Sequence, residues 1–238
     1  MIKLENHEVL GWDHAIRGMR NPKNSWAKID SAYEYSPVLE EEMFIMGEND
    51  YNLASALATG GPVHGKYRRM ITVYVDITAP LYWWKEFDTY KVGTVANSCS
   101  TMHKIHDKEF TWDDFSYEHL PSTYYDGIPK EDMIKIYPNG EMCYYSPKGV
   151  LSTIIAMLNK SRERYIETKD KKYWWQMIQL LPSSYNQKRT VMLNYEVLAN
   201  IYEYRRNHKL DEWHTFCNWI EELPYSELIT GRCESEEE

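Results

Sequence analysis

The sequence predicts an α+β fold in which many helices surround a small central sheet. Ile71, Val73, Val75 and Ile77 alternate with polar side chains, and this period of two predicts a half-buried strand over 70–78. Stretches with helical spacing lie both before and after this strand, which is typical of a mixed α+β domain. With 238 residues and 43% apolar side chains, the chain is long enough to bury one substantial core.

The strand leads into residues 79–103, a predicted helix followed by a run of small polar residues. Pro80 suits the first turn of a helix, where its missing N–H costs nothing, and aromatic side chains cover several sides of 81–90. We therefore predict a helix that is buried on more than one face. The run Asn97–Thr101 consists of small hydrogen-bonding side chains, which suit either the polar edge of a ligand or a capped turn.

The other predicted elements are mostly helices. Residues 104–149 are turn-rich and aromatic, which indicates an insertion or lid, and 137–141 read as a tight hairpin. We predict a single domain over 1–230 and an acidic, disordered tail over 231–238. Apolar spacing predicts helices over 13–19, 49–60, 150–169, 173–181, 190–206 and 211–223.

Composition excludes several classes of function. A net charge of −9 argues against a general nucleic-acid binder, but it leaves room for a nucleotide in a locally basic pocket. The four cysteines have no metal-ligand spacing, so we predict no metal site and reduced thiols in the cytoplasm. Neither a signal peptide nor a membrane-length apolar run is present, so no membrane partner is expected.

The densest basic cluster lies just before the central strand. It comprises His64, Lys66, Arg68 and Arg69, and it fits either a phosphate clamp or a solvated strand entry. A second basic group near the N-terminus, Arg17 with Arg20 and Lys23, fits either surface charges or ligands of an anion. Nine Trp and twenty Tyr provide mass for a core and subunit interfaces, or ring surfaces for stacking.

Two patches resemble the flavin-dependent thymidylate synthases, the ThyX family. The step Thr78–Ala79–Pro80 into an aromatic helix is similar to the strand end that precedes the family's Arg-His-Arg motif. The C-terminal patch resembles the family's signature of a Leu-Pro turn and a helix with spaced polar residues. Its matching positions here are Leu181–Pro182, Asn194, Leu198, Asn200 and Arg205.

The resemblance implies an α+β fold, a homotetramer with sites shared between subunits, and binding of FAD and dUMP. The family transfers a methylene group to the pyrimidine and reduces it with a flavin hydride. By this resemblance the arginine at Arg205 contacts the nucleotide. The asparagine at Asn200 and a histidine near His208 contact the flavin.

The chain departs from the family at the motif that carries most of the charge. Thr89–Tyr90–Lys91 stands in place of Arg-His-Arg, and Met102 replaces the final arginine. Only Asn97 and Ser100 remain of the residues between them. Lys91 supplies charge without the bidentate fork of arginine, and each lost charge-assisted contact is worth about 1.5–3 kcal/mol. We therefore predict that standard thymidylate synthesis is lost.

These observations lead to one hypothesis and two alternatives. The hypothesis is a divergent ThyX-like protein that binds a nucleotide and FAD. If it is an enzyme, it is expected to be an FAD-dependent transferase that acts on a dUMP-like pyrimidine nucleotide. The alternatives are a non-catalytic accessory protein of a virus or phage that sequesters a nucleotide, and a structural oligomer with an empty site. The assigned residues are Ser100 and Arg205 for catalysis, His64, Lys91, Asn97, Asn200 and His208 for the cofactor, and Lys66, Arg68, Tyr90, Ser98 and Arg205 for the nucleotide.

Overall fold

The computed structural model describes residues 2–38, 40–121, 133–136 and 143–231. The strands are β1 Lys3–Leu10, β2 Ala32–Ser36, β3 Glu41–Ile45, β4 Thr72–Pro80, β5 Val95–Ser98, β6 Ile134–Ile136, β7 Cys143–Tyr145 and β8 Asn186–Asn194. The helices are α1 Trp12–Arg20, α2 Glu48–Thr59, α3 Leu81–Phe87, α4 Thr101–Lys104, α5 Pro147–Thr168, α6 Lys171–Leu180, α7 Tyr195–Arg205, α8 Asp211–Glu221 and α9 Glu227–Thr230.

The main sheet has four strands in the order β1-β4-β8-β5, and two further sheets are two-stranded. The predicted alternation in β4 is confirmed, because Ile71, Val73, Val75 and Ile77 are all buried. The prediction of an α+β fold with helices around a small sheet is confirmed as well. The predicted turn over 137–141 lies outside the described residues, although β6 and β7 on either side of it pair antiparallel.

One predicted helix is partly wrong. The sequence pattern predicts a helix over 190–206, whereas β8 continues to Asn194 and α7 begins only at Tyr195. Val191 and Leu193 are buried at a spacing of two, and this short alternation is weaker in the sequence than the helical spacing that follows it. Asn194 ends the strand and caps the helix, since its Oδ1 accepts hydrogen bonds from the backbone N–H groups of Glu196 and Val197, both at 3.1 Å.

The chain divides into two compact units. Among the described residues, the first contains those of 78–86 and 98–188, and the second contains those of 2–77, 87–97 and 189–231. Two parts of the predicted insertion, residues 122–132 and 137–142, lie outside the described residues. The predicted acidic tail beyond Gly231 also lies outside them.

The first unit is built on α5 and α6. These two helices are joined by Lys169 and Asp170, and they bury Leu151, Leu158 and Met177 in one apolar cluster with aromatic neighbours. The tryptophans of α3 belong to this unit and are almost fully buried, which confirms the prediction of a helix covered on several faces. Trp84 also donates a hydrogen bond from Nε1 to the Gln187 carbonyl at 2.9 Å.

The second unit packs α1, α2, α7, α8 and α9 with the β2–β3 hairpin. Trp12 is its aromatic centre, stacked on Phe44 at 5.2 Å between ring centroids and in edge contact with Tyr195 and Tyr225. Much of the aromatic excess is therefore core. No helix within the described ranges is both long enough and apolar enough to cross a membrane.

Candidate functional site

The best-defined polar arrangement near the predicted site surrounds Arg205, in the last turn of α7. Its Nε donates a hydrogen bond to the Tyr90 hydroxyl at 2.9 Å. Its guanidinium carbon lies 4.8 Å from the ring centroid of Trp213 and 5.6 Å from that of Tyr90. Both distances fall in the range of cation–π attraction, so the two rings hold the guanidinium in one orientation.

The rings that hold Arg205 are themselves anchored in the core of the second unit. Trp213 is fully buried, and it contacts Phe87 and Phe216 with centroids 6.5 and 5.9 Å away. Tyr90 follows α3 in a turn closed by its N–H and the Phe87 carbonyl, at 3.0 Å. We refer to Tyr90, Arg205, His208 and Trp213 as the arginine frame.

His208 joins the frame through the turn that follows α7. Its backbone N–H donates to the Arg205 carbonyl at 3.0 Å, and its ring lies 6.3 Å from that of Trp213. Its Nδ1 accepts the Leu210 N–H at 3.2 Å, which fixes the imidazole relative to α8. The structure thus brings three of the sequence-predicted site residues, Tyr90, Arg205 and His208, to one place.

The basic cluster before β4 is divided between protein contacts and solvent. Arg68 donates from Nη1 to the Leu228 carbonyl at 3.1 Å, and Arg69 forms a two-point ion pair with Glu196 whose Nη2–Oε1 distance is 2.8 Å. The side chains of His64 and Lys66 are exposed. Two members of the predicted phosphate clamp therefore anchor the turn, and the other two face water.

Asn200 lies away from Arg205 on α7 and lines a different depression. This cavity of about 290 Å³ also includes Arg68 and Arg206, together with the end of α2 and residues of α9. A cavity of that size is at the lower limit of small-ligand pockets. The sequence predicts that Arg68 contacts the nucleotide and that Asn200 contacts the cofactor. The structure places both residues on the wall of this one cavity.

In the run Asn97–Thr101, the first four residues are exposed and Thr101 is half-buried, and the run is part strand and part helix rather than one loop. Asn97 and Ser98 are in β5, and Ser100 is the N-cap of α4, where its hydroxyl accepts the His103 N–H at 3.0 Å. A cap of this kind explains Ser100 structurally, and its catalytic role stays a prediction. Lys91 is exposed in the turn between α3 and β5.

Gly93 in the same turn is required by close packing. It has φ of +80°, and a Cβ there would lie 3.0 Å from Asn194 Nδ2 and 3.2 Å from a methyl group of Val197. A larger residue would be strained by the backbone and would push on the cap of α7. Asn194, which the resemblance points to, thus joins the turn after Tyr90 to the start of the helix that carries Arg205.

A larger depression of about 470 Å³ lies between α7 and α8, lined by Tyr202, Arg206, His214 and Cys217 among others. Burial raises the pKa of the Cys217 thiol to about 12, so it is protonated and unreactive near neutral pH. Cys99, by contrast, is exposed. Across the described ranges, no three His, Cys, Asp or Glu side chains are arranged to hold a metal ion.

Sequence reasoning missed Trp213, although it contributes the nearer ring to Arg205. A tryptophan in the first turn of α8, eight residues after an arginine that ends α7, is a usable signal once a short turn between the helices is assumed. The aromatic excess hid it, because nine tryptophans offered no reason to single out this one.

Comparison with solved structures identifies the architecture. Models of protein families give no match to the chain, and curated protein sequences give none. A structure of thymidylate synthase X from Helicobacter pylori with FAD and dUMP superposes with a TM-score of 0.61 at 15% identity, covering 97% of this chain and 98% of that one. This chain has the ThyX fold.

Two further structures agree. A second H. pylori ThyX complex with FAD and dUMP gives a TM-score of 0.58 at 15% identity, with coverage of 97% and 98%. A UMP/dUMP methylase, PolB from Streptomyces cacaoi bound with 5-Br UMP, gives 0.56 at 12% identity and covers 93% of this chain and 88% of that one. The resemblance seen in two sequence patches thus extends, as a fold, over nearly the whole chain.

Proposed function

We propose that the chain is a divergent ThyX-fold protein that binds a pyrimidine nucleotide. The observation that carries the proposal is the arginine frame on a ThyX fold, because Arg205 is the residue that the family resemblance assigns to the nucleotide. Its side chain is oriented by Tyr90 and Trp213 before any ligand arrives. A guanidinium held in one orientation loses little entropy when it meets a phosphate or a pyrimidine carbonyl.

Flavin binding is the finer part of the proposal. His64, Lys91, Asn97 and Asn200 have exposed side chains, and these ammonium, imidazole and amide donors fit the pyrophosphate and carbonyl oxygens of FAD. His208 is positioned beside Arg205. FAD, when bound, would supply a hydride to the pyrimidine. Lys66, Arg68 and Ser98 are proposed to contact the nucleotide, and Ser100 to take part in catalysis. The protein is further proposed to be a homotetramer located in the cytoplasm.

Non-catalytic binding is a second candidate that one observation favours. The Tyr90 hydroxyl, at the centre of the replaced Arg-His-Arg motif, already accepts the Nε hydrogen of Arg205. A neutral phenol thus stands at the centre of the motif, and it stabilises less of the charge that develops during a reaction than the replaced charged motif would. A nucleotide-sequestering accessory protein of a virus or phage would follow from this, and a structural oligomer with an empty site is the remaining alternative.

The first experiment is an absorbance spectrum of the purified protein, with mass spectrometry of whatever acid precipitation releases. Flavin bands with FAD in the supernatant would support the flavoprotein. A colourless protein that releases a pyrimidine nucleotide would support sequestration, and a protein that releases neither and binds neither would identify the empty scaffold.

Calorimetric titration with dUMP and UMP then tests the arginine frame. We expect Arg205→Ala to weaken binding at least about tenfold, since one charge-assisted contact is worth about 1.5–3 kcal/mol. Arg17→Ala, which removes an exposed arginine of α1, is the matched control and is expected to bind like the wild type. Equal affinity in the two variants would show that the nucleotide does not use Arg205.

A further inference from the structure

The first unit carries a surface that the nucleotide site does not use. Residues 160–175, at the α5–α6 connection, contain six cationic side chains and three carboxylates in a chain whose net charge is −9. We call the group Arg164, Lys169, Lys171, Lys172, Tyr173 and Trp175 the α5–α6 tip. A local excess of positive charge in an acidic protein marks a place where polyanions are attracted.

Two rings, the exposed Trp175 and the half-buried Tyr173, are interleaved with these cations. Lys172 Nζ lies 4.8 Å from the ring centroid of Tyr173, and the Arg164 guanidinium carbon lies 5.5 Å from it. Lys171 Nζ lies 5.8 Å from Trp175, whose side chain is 45% exposed. Hydrogen bonding to Arg164 also lowers the pKa of Tyr173. Rings flanked by cations are the chemistry that stacks bases and pairs with their phosphates.

Helix stability does not explain where the lysines stand. Lys171 and Lys172 occupy the first turn of α6, where the helix dipole disfavours positive charge. Asp170 caps that turn by accepting the Lys172 N–H at 3.0 Å, and its carboxylate pairs with the Lys172 ammonium. Lys171 makes its described contacts with rings. A positive first turn is better explained by an external anion.

The apolar faces of the two helices are already used. Leu151, Ile155, Leu158 and Met177 point into the core cluster of this unit. Glu163, Glu167 and Asp170 lie among the cations of the outer surface. A surface of this kind cannot enter the acyl region of a bilayer without burying carboxylates, whereas the phosphates of a flexible strand can avoid them.

We propose that the α5–α6 tip binds single-stranded nucleic acid, with bases stacking on Trp175 and Tyr173 and phosphates pairing with Lys169, Lys171 and Lys172. The negative charge of the rest of the chain limits the site to a few nucleotides and makes its affinity modest and strongly dependent on salt. This activity is separate from the proposed nucleotide site, because it uses none of the residues of the arginine frame.

The test is fluorescence anisotropy of a labelled oligothymidylate of about 12 nucleotides with the full chain at about 50 mM salt. The charge reversals Lys171→Glu and Lys172→Glu, made together, are expected to weaken binding at least about tenfold. The paired control Lys23→Glu with Lys28→Glu makes the same change in net charge on exposed lysines of the second unit and is expected to have a much smaller effect.

Ring stacking is tested at one position. Trp175→Ala should weaken binding about tenfold, and Trp175→Phe should recover most of the affinity because a ring is restored. Circular dichroism melts of each variant identify loss of folding. Arg205→Ala should bind the oligonucleotide like the wild type, so failure here is distinguishable from failure of the proposed nucleotide site.

Three outcomes would overturn the proposal. The first is absence of binding at low salt, and the second is equal weakening by the Lys171/Lys172 and Lys23/Lys28 reversals. The third is binding to vesicles that contain anionic lipid, lost in Trp175→Ala, with no binding of the oligonucleotide. That last result would assign the tip to a membrane surface instead.

Discussion

Two arginines of the second unit, Arg20 and Arg205, each end a helix, but their surroundings differ. Arg20 is 3% exposed and donates from Nε to Asp50 Oδ1 at 2.6 Å, and Asp50 is fully buried. Arg205 is only partly buried and contacts a phenol hydroxyl and two rings. The first arginine lies within the fold, and the second lies at its surface.

Further hydrogen bonds to Asp50 hold the Arg20–Asp50 pair inside the fold. The Asp50 carboxylate also accepts the backbone N–H groups of Asp30 and Ser31 at 3.0 Å and the Ser31 hydroxyl at 2.8 Å. A buried ion pair surrounded by hydrogen bonds leaves no route for a ligand phosphate. The sequence left two readings open for Arg20, a surface charge or an anion ligand, and it is neither: it is a buried residue that stabilises the fold.

The contacts of Arg20 and Arg205 distinguish an arginine that stabilises the fold from an arginine of a binding site. An arginine paired with a buried carboxylate is held by the charge that it neutralises. An arginine packed on aromatic rings is oriented by contacts that carry no formal charge, so those contacts do not themselves neutralise it. Removal of the side chain should reveal the difference as unequal losses of stability.

Arg20→Ala is expected to cause the largest loss, about 3–5 kcal/mol in the free energy of unfolding, because it leaves the Asp50 carboxylate buried without its cation. Urea denaturation followed by circular dichroism measures it. Arg17→Ala, on the exposed face of the same helix, should change the free energy by less than about 0.5 kcal/mol. Similar values for the two variants would mean that the Arg20–Asp50 pair does not stabilise the fold.

Arg205→Ala is expected to cost less, about 1–2 kcal/mol, because Arg205 is only half-buried and its contacts include a hydrogen bond and two cation–π contacts rather than a fully buried ion pair. Tyr90→Phe keeps the ring and removes only the hydroxyl, so its cost should be about 1 kcal/mol or below. The same urea titrations measure both. A loss for Arg205→Ala as large as that for Arg20→Ala would erase the distinction and make Arg205 a structural residue.

The sequence predicted the fold well where one periodic pattern was strong. The alternation at Ile71–Ile77 and the apolar spacing over 150–169 both correspond to observed elements. The error over 190–194 arose because β8 and α7 are joined at Asn194 with no glycine or proline between them. A strand buried by tertiary packing beside a strongly helical stretch cannot be separated from it by local spacing alone.

The candidate site was predicted less completely. Family resemblance led to Arg205, and the structure supplied its partners Tyr90 and Trp213. The basic cluster at 64–69 illustrates the limit, because charge density in a sequence does not tell whether an arginine already has a partner within the protein. Arg68 is directed to a backbone carbonyl and Arg69 to Glu196, and both contacts join residues more than a hundred positions apart.

The smallest predicted effect concerns pH and sharpens the comparison on the side of Arg20. Partial desolvation raises the pKa of the exposed Asp30 carboxyl, but hydrogen bonds from the backbone N–H groups of Asn49 and Asp50 outweigh it, so the pKa is lowered overall. A lowered folded-state pKa means that the carboxylate stabilises the fold above its unfolded value of about 3.9. This contribution is lost as pH falls through the folded-state pKa.

Asp30→Asn should therefore lower the urea midpoint at pH 7, and its difference from the wild type should be smaller at about pH 3, which is below the pKa of the unfolded carboxyl. Glu42→Gln removes one negative charge from exposed β3 and corrects for the change in net charge. If the midpoints of wild type and Asp30→Asn fall in parallel between the two pH values, the carboxylate does not act as a charged cap on α2. The hydrogen bonds that Asp30 accepts would then stabilise the fold whether or not its carboxyl is charged. The Arg20–Asp50 ion pair would be the one electrostatic contribution that distinguishes this region from the arginine frame.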